Sequence, residues 1–75
     1  MKTQTVGYIV ECEGRHAMVY HEGQLYFGRE ATLFPTRRAA GNAIRTTRRR
    51  RKAEFGRDFD EEFGRLSIRR ATAGG

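Results

Sequence analysis

A chain of 75 residues has room for one small domain, and at this length it buries only about 60% of the surface its unfolded form exposes. Its single cysteine, Cys12, excludes an intrachain disulfide and a zinc site made of cysteines from one chain. The 15 basic and 9 acidic side chains leave a formal charge of +6, and there is neither a long apolar run nor a leader-like start at MKTQTV, so a basic, soluble, cytoplasmic protein is expected.

Residues 5 to 27 alternate between apolar and polar positions and are broken by two Glu-Gly pairs, Glu13-Gly14 and Glu22-Gly23. Alternation of period two reads as strand, and glycine supplies the positive φ of a tight turn. The segment therefore predicts a three-strand antiparallel meander. With a two-residue loop at each Glu-Gly, Val10 faces Ala17, Tyr8 faces Val19, and Val19 faces Tyr26. One sheet face then carries Tyr8, Val10, Cys12, Ala17, Val19 and Tyr26. The other carries Ile9, Met18, Tyr20, Leu25 and Phe27. Both faces are apolar, so one is expected to meet a helix and the other to be an interface for a second copy or a ligand, with Tyr8, Val19 and Tyr26 as its candidate residues. A bulge at either Glu-Gly would change this register.

Residues 28 to 34 read as a linker with an extended piece at Ala31-Thr32-Leu33. Phe34 precedes Pro35 and is steered away from helical geometry. Thr36 is a helix N-cap candidate, its hydroxyl accepting from a backbone N–H. The helix is expected from about Arg37 to Ala53. At about 100° per residue, Ala39, Ala40, Ala43, Ile44 and Thr47 share one face. Arg37, Arg38, Arg45, Arg48, Arg49 and Lys52 share the opposite side. Arg50 and Arg51 fall on the apolar side, so packing is expected to end near Thr47.

Phe55, Phe59 and Phe63 recur every four residues, but Gly56 and Gly64 point to a short turn or irregular loop whose rings close the open end of the core. Leu66 to Arg70 alternates and predicts a final strand, and residues 71 to 75 are expected to be a disordered tail. The predicted fold is α+β, a small two-layer β-β-β-α-β sandwich in one domain over residues 1 to 70.

The charge is concentrated. The first 35 residues hold three basic and four acidic side chains, whereas Thr36 to Lys52 holds seven arginines, one lysine and no acid. That density of like charge exceeds what solubility needs and fits an anionic partner. Arginines on one helix face can bond phosphates bidentately and can pair with guanine in a major groove. The candidate nucleic-acid-binding residues are Arg37, Arg38, Arg45, Arg48, Arg49, Arg50, Arg51 and Lys52, and about five neutralised phosphates would give a log–log salt slope near −4.5. Against this stand the acids that follow, Asp58, Asp60, Glu61 and Glu62, which could fold back and neutralise the run.

No enzymatic constellation is present. On the expected register Glu11 faces His16 while Cys12 points away, so Cys12 and His16 do not pair as nucleophile and base. Asp58 to Glu62 does not match a calcium loop. Neither metal nor cofactor is expected. The order of elements differs from that of an RNA-recognition motif, and its signature is absent.

The stretch Ala31-Thr32-Leu33-Phe34-Pro35-Thr36-Arg37-Arg38-Ala39-Ala40, after a three-strand meander, resembles a phrase in short α+β proteins of bacterial and phage genomes. The resemblance covers about residues 5 to 47 and implies a bacterial or phage accessory protein, with no active residues carried over. The sequence thus predicts a non-enzymatic module whose partner is nucleic acid, DNA or RNA. The alternative is an acidic surface of a host protein, or a second copy docked on the free sheet face.

Overall fold

Two Glu-Gly turns organise the first half of the chain. The computed structural model describes residues 4–73. Strand β1 (Gln4–Cys12) leads through Glu13-Gly14 into β2 (His16–His21), which leads through Glu22-Gly23 into β3 (Gln24–Phe27). Both residues of each turn have positive φ: 56° and 69° at Glu13 and Gly14, and 51° and 79° at Glu22 and Gly23. Paired left-handed residues match the twist of the strands they join, which is why a non-glycine residue tolerates the strain at Glu13 and Glu22.

The second hairpin has the expected register, Val19 opposite Tyr26 and Met18 opposite Phe27. The first does not. Cys12 lies opposite His16 and Glu11 opposite Ala17, so Arg15 is an extra residue beside the turn. A slip of one residue moves every side chain of a strand to the other face. The face toward the helix is therefore Tyr8, Val10 and Cys12 together with Met18, Tyr20 and Leu25. Ala17, Val19 and Tyr26 move to the outer face. This corrects the predicted grouping of Tyr8 with Val19 and Tyr26. It also corrects the relation of Cys12 and His16, which share a register position. They still form no pair: Cys12 is fully buried and its Sγ donates to the Phe63 carbonyl at 3.4 Å, while His16 is exposed, its ring 6.0 Å from that of Phe27.

Beyond Glu11 and Ala17 the linker enters the sheet between the first two strands. The Tyr8 N–H donates to the Phe34 carbonyl at 2.8 Å and the Phe34 N–H to the Tyr8 carbonyl at 2.7 Å. On the other side the Thr32 N–H donates to the Met18 carbonyl at 3.1 Å, and the Tyr20 N–H donates to Thr32 Oγ1 at 2.8 Å. The backbone groups that β1 and β2 would have shared are thus satisfied by the linker. Gly7 permits the approach, because a Cβ there would lie 2.7 Å from the Phe34 carbonyl oxygen and from Leu33.

Helix α1 (Arg37–Phe55) starts where Thr36 predicted, with the Thr36 hydroxyl accepting from the Ala39 N–H at 3.0 Å. It ends at Gly56, whose φ of 67° is the left-handed conformation usual after a helix. Ala40, Ala43, Ile44 and Thr47 are its buried residues, so packing stops at the expected position. The Thr47 hydroxyl donates to the Ala43 carbonyl at 2.8 Å and accepts from the Leu25 N–H at 3.0 Å. That contact satisfies an edge donor of β3 inside the core.

The expected loop contains a short helix, α2 (Phe59–Phe63). Phe59 is buried at 4% exposure and closes the core, with Phe63 stacked on it at 4.9 Å, but Phe55 is 56% exposed and takes no part. Strand β4 (Leu66–Ala73) then returns beside β1, giving the antiparallel order β3-β2-β1-β4 with α1 over one face. The strand runs three residues past Arg70, because Ala71, Thr72 and Ala73 find partners in Gly7, Thr5 and Gln4. This corrects the predicted tail for those residues; Gly74 and Gly75 lie outside the described residues. The architecture is the α+β arrangement expected, with α2 added.

Candidate nucleic-acid interface

The arginine-rich segment is helical throughout, so its charges are distributed around α1 by the helical repeat. They fall into three sets with different surroundings. Facing away from the sheet, Arg38, Asn42, Arg45 and Arg49 stand at spacings of four, three and four residues and make a single ridge. All four are exposed. Among the described residues, no acid lies within ion-pair distance of Arg38, Arg45 or Arg49. Arg45 donates to Oδ1 of Asn42, a bond that lies along the ridge.

On the flank toward α2 the charges are matched. The Arg48 guanidinium holds Asp60 through two bonds of 3.0 Å each, from Nε and Nη2. Lys52 Nζ lies 3.5 Å from Asp58, and Arg51 Nη2 lies 3.1 Å from Glu62. Arg51 is further fixed between two rings, its guanidinium carbon 4.5 Å from the Phe55 centroid and 4.4 Å from that of Phe63. These side chains are partly exposed, so each ion pair contributes no more than about 1 kcal/mol. Their electrostatic effect is local neutrality. Asp58 caps α2, and Asp60 and Glu62 lie within it; burial of Phe59 in the core sets this short segment against the last turns of α1.

The other flank carries Arg50, which donates to the Glu22 carbonyl at 2.8 Å. A side chain at Gly23 would collide with its Nη1, at 2.7 Å, so the second turn leaves the room that Arg50 occupies. At the N-terminal end, the Arg37 guanidinium lies 5.4 Å from the centroid of the Tyr8 ring. Arg70 is opposite Tyr8 across the ladder, so Arg37, Tyr8 and Arg70 meet at one corner.

The eight basic residues singled out in the sequence are thus not one surface. Arg38, Arg45 and Arg49 share the ridge, and Arg37 flanks its start. Arg48, Arg51 and Lys52 are paired to α2, and Arg50 is tied to a turn. Arg50 and Arg51 lie past the packed face, as their angular positions required, yet each is anchored rather than freely solvated. The interface trio divides as well: Tyr8 is on the helix side, while Val19 and Tyr26 are neighbours on the outer face, Tyr26 at 49% exposure.

Sequence reasoning passed over Asn42. Its position four residues after Arg38 and three before Arg45 was the available signal. It also passed over the role of Gly7, although a glycine inside a strand often marks close approach of another backbone.

Burial raises the Cys12 thiol above its ordinary value, with Glu13 and Asp60 adding to the effect. Among the described residues no group of three His, Cys, Asp or Glu side chains is arranged to hold a metal ion, and no helix is long and apolar enough to cross a membrane. The chain matches no protein-family model, and no curated protein or solved structure matches it.

Proposed function

We propose that this protein is a non-enzymatic module that binds nucleic acid through the outer ridge of α1. The observation that carries the reading is selective neutralisation. The carboxylates of Asp58, Asp60 and Glu62 lie against Lys52, Arg48 and Arg51, while Arg38, Arg45 and Arg49 stand exposed with no acid beside them among the described residues. Three like charges on one exposed helix line repel one another, and a polyanion relieves that repulsion with release of its counterions. Arg37, exposed at the start of α1 about 100° round the helix from Arg38, makes a fourth available cation. The other arginines of α1, Arg48, Arg50 and Arg51, are held by contacts within the chain, so the footprint of the helix is smaller than its eight basic residues. A cytoplasmic site of action fits such a partner, and the resemblance to short bacterial and phage proteins fits an accessory role.

Four cations set against the polyanion, each neutralising one phosphate charge whether it bonds a phosphate or a base beside it, give a slope of about −3.6 for log affinity against log salt. A filter-binding titration measures it, and Arg38→Glu/Arg45→Glu/Arg49→Glu should abolish retention while leaving the circular dichroism spectrum unchanged. A flat salt response, or retention by the triple variant, overturns the proposal.

A second reading rests on the outer sheet face, where half-exposed Tyr26 lies beside Val19. It assigns that face to a second copy or a partner protein. Val19→Glu would then lower the sedimentation mass of the complex, and the ridge substitutions would not.

A further inference from the structure

The inference that follows rests on the nucleic-acid reading and names its substrate. We infer that α1 enters the major groove of B-form duplex DNA, with Arg38, Asn42 and Arg45 at base edges. Three features of the ridge point there.

The first is shape. The ridge is convex: α1 is the outer layer over the sheet, and the ridge residues are exposed from Arg38 to Arg49. A helix with its side chains is about 10–12 Å across, which fits a B-form major groove about 12 Å wide. The major groove of an RNA duplex is too narrow for side chains to read. From Arg38 to Arg49 the ridge measures about 16 Å at about 1.5 Å per residue, or about five base pairs of duplex.

The second is chemistry. Arginine and asparagine are the side chains that meet guanine O6 and N7 and adenine N6 and N7 with two bonds each. Asn42 lies between Arg38 and Arg45, and its bond from Arg45 aligns that guanidinium with the ridge. A face meant only for phosphates needs no amide in its middle.

The third is what the ridge lacks. Proteins that hold single strands stack bases on aromatic rings. Here Phe34 and Phe59 are buried, and Arg51 lies against the rings of Phe55 and Phe63. None of the aromatic side chains is on the ridge. The acids beside α1 are matched: Asp60 to Arg48, about 90° round the helix from the ridge, and Asp58 to Lys52, which stands one turn past Arg49 beyond the three residues placed at base edges.

The test uses the full chain and fluorescence anisotropy at one salt concentration. The probes are a DNA duplex, an RNA duplex of the same sequence, and the single DNA strand. A pool of DNA duplexes with a randomised centre is selected on the protein in parallel. The expected result is binding to the DNA duplex at least about tenfold tighter than to the other two, and enrichment of a fixed order of base pairs, guanine on either side of adenine along one strand, within about five adjacent base pairs. Arg45→Lys keeps the charge but loses the two-bond fork, so the ratio of its affinity for the selected site to that for the unselected pool should fall about tenfold. Equal or tighter binding to the RNA duplex or the single strand overturns this inference and leaves the nucleic-acid reading standing. Unchanged site preference in Arg45→Lys overturns the base contact. Failure to bind any probe overturns both readings.

Discussion

Replacing Asp58 and Asp60 with asparagine removes the carboxylates that hold Lys52 and Arg48. Arg51 stays immobile in this variant, because two rings and Glu62 still hold it. The number of cations available to phosphate rises from four to six, and the expected salt slope steepens from about −3.6 to about −5.4. Two extra contacts of this kind strengthen binding by about 60-fold at about 0.1 M salt, relative to the 1 M reference at which the electrostatic contribution vanishes. The cost to folding is small. The Arg48 and Asp60 side chains are 44% and 39% exposed, and those of Lys52 and Asp58 60% and 57%. Such pairs contribute at most about 1 kcal/mol each, reduced further by solvent screening. Anisotropy titrations of a labelled DNA duplex over a salt series measure both slopes. A charge-matched control, Glu22→Gln with Glu30→Gln, changes net charge equally but away from the ridge, and should steepen the slope less. If the paired-acid variant keeps the slope of the unaltered protein, Arg48 and Lys52 do not reach phosphate. If the unaltered protein already shows about −5.4, the acids give way on binding. Either result refutes the division of the helix into free and occupied charges.

Three further outcomes follow from the packing. Thr47→Val keeps the shape but leaves the buried Leu25 N–H without its acceptor, and chemical denaturation should show a loss of about 1–3 kcal/mol. Gly7→Val forces a side chain against the Phe34 carbonyl and Leu33; a loss of about 1–3 kcal/mol is expected by the same measurement, with faster hydrogen exchange at Tyr8 and Phe34. Cys12 should react with a thiol reagent only as fast as the protein opens, since it is fully buried and its thiol is held neutral. Because the folded state holds that proton more tightly than the unfolded one, this contribution to stability is level below the thiol's ordinary range. It then falls as pH rises through the raised value, and Cys12→Ala should flatten that alkaline decline.

Much of the local structure was legible because it depends on short-range chemistry. Thr36 and Pro35 marked the helix start, and the alanine face with Thr47 marked the extent of packing. Both hairpin turns were visible in Glu13-Gly14 and Glu22-Gly23. What could not be read was the count of residues in the first connection. Arg15 is one residue too many for a two-residue loop, and nothing in its chemistry distinguishes a loop residue from the first of a strand. That single residue put Tyr8, Val10 and Cys12 on the same face as Met18, Tyr20 and Leu25 and parted them from Val19 and Tyr26, since side chains alternate with period two. The insertion of Thr32 and Phe34 between two strands was equally hidden, because it pairs backbone groups that every residue possesses.

The sequence by itself determined that this is a small α+β domain with one basic helix, and that acids close behind it would compete for the charge. Those follow from periodicity, capping and composition, which are properties of neighbouring residues. Only the tertiary structure decided which arginines the acids take. Asp58, Asp60 and Glu62 reach α1 because Phe59 buries itself in the core and brings α2 against its last turns. A hydrophobic contact thus sets the electrostatics, leaving Arg38, Arg45 and Arg49 as the exposed ridge without acid partners among the described residues.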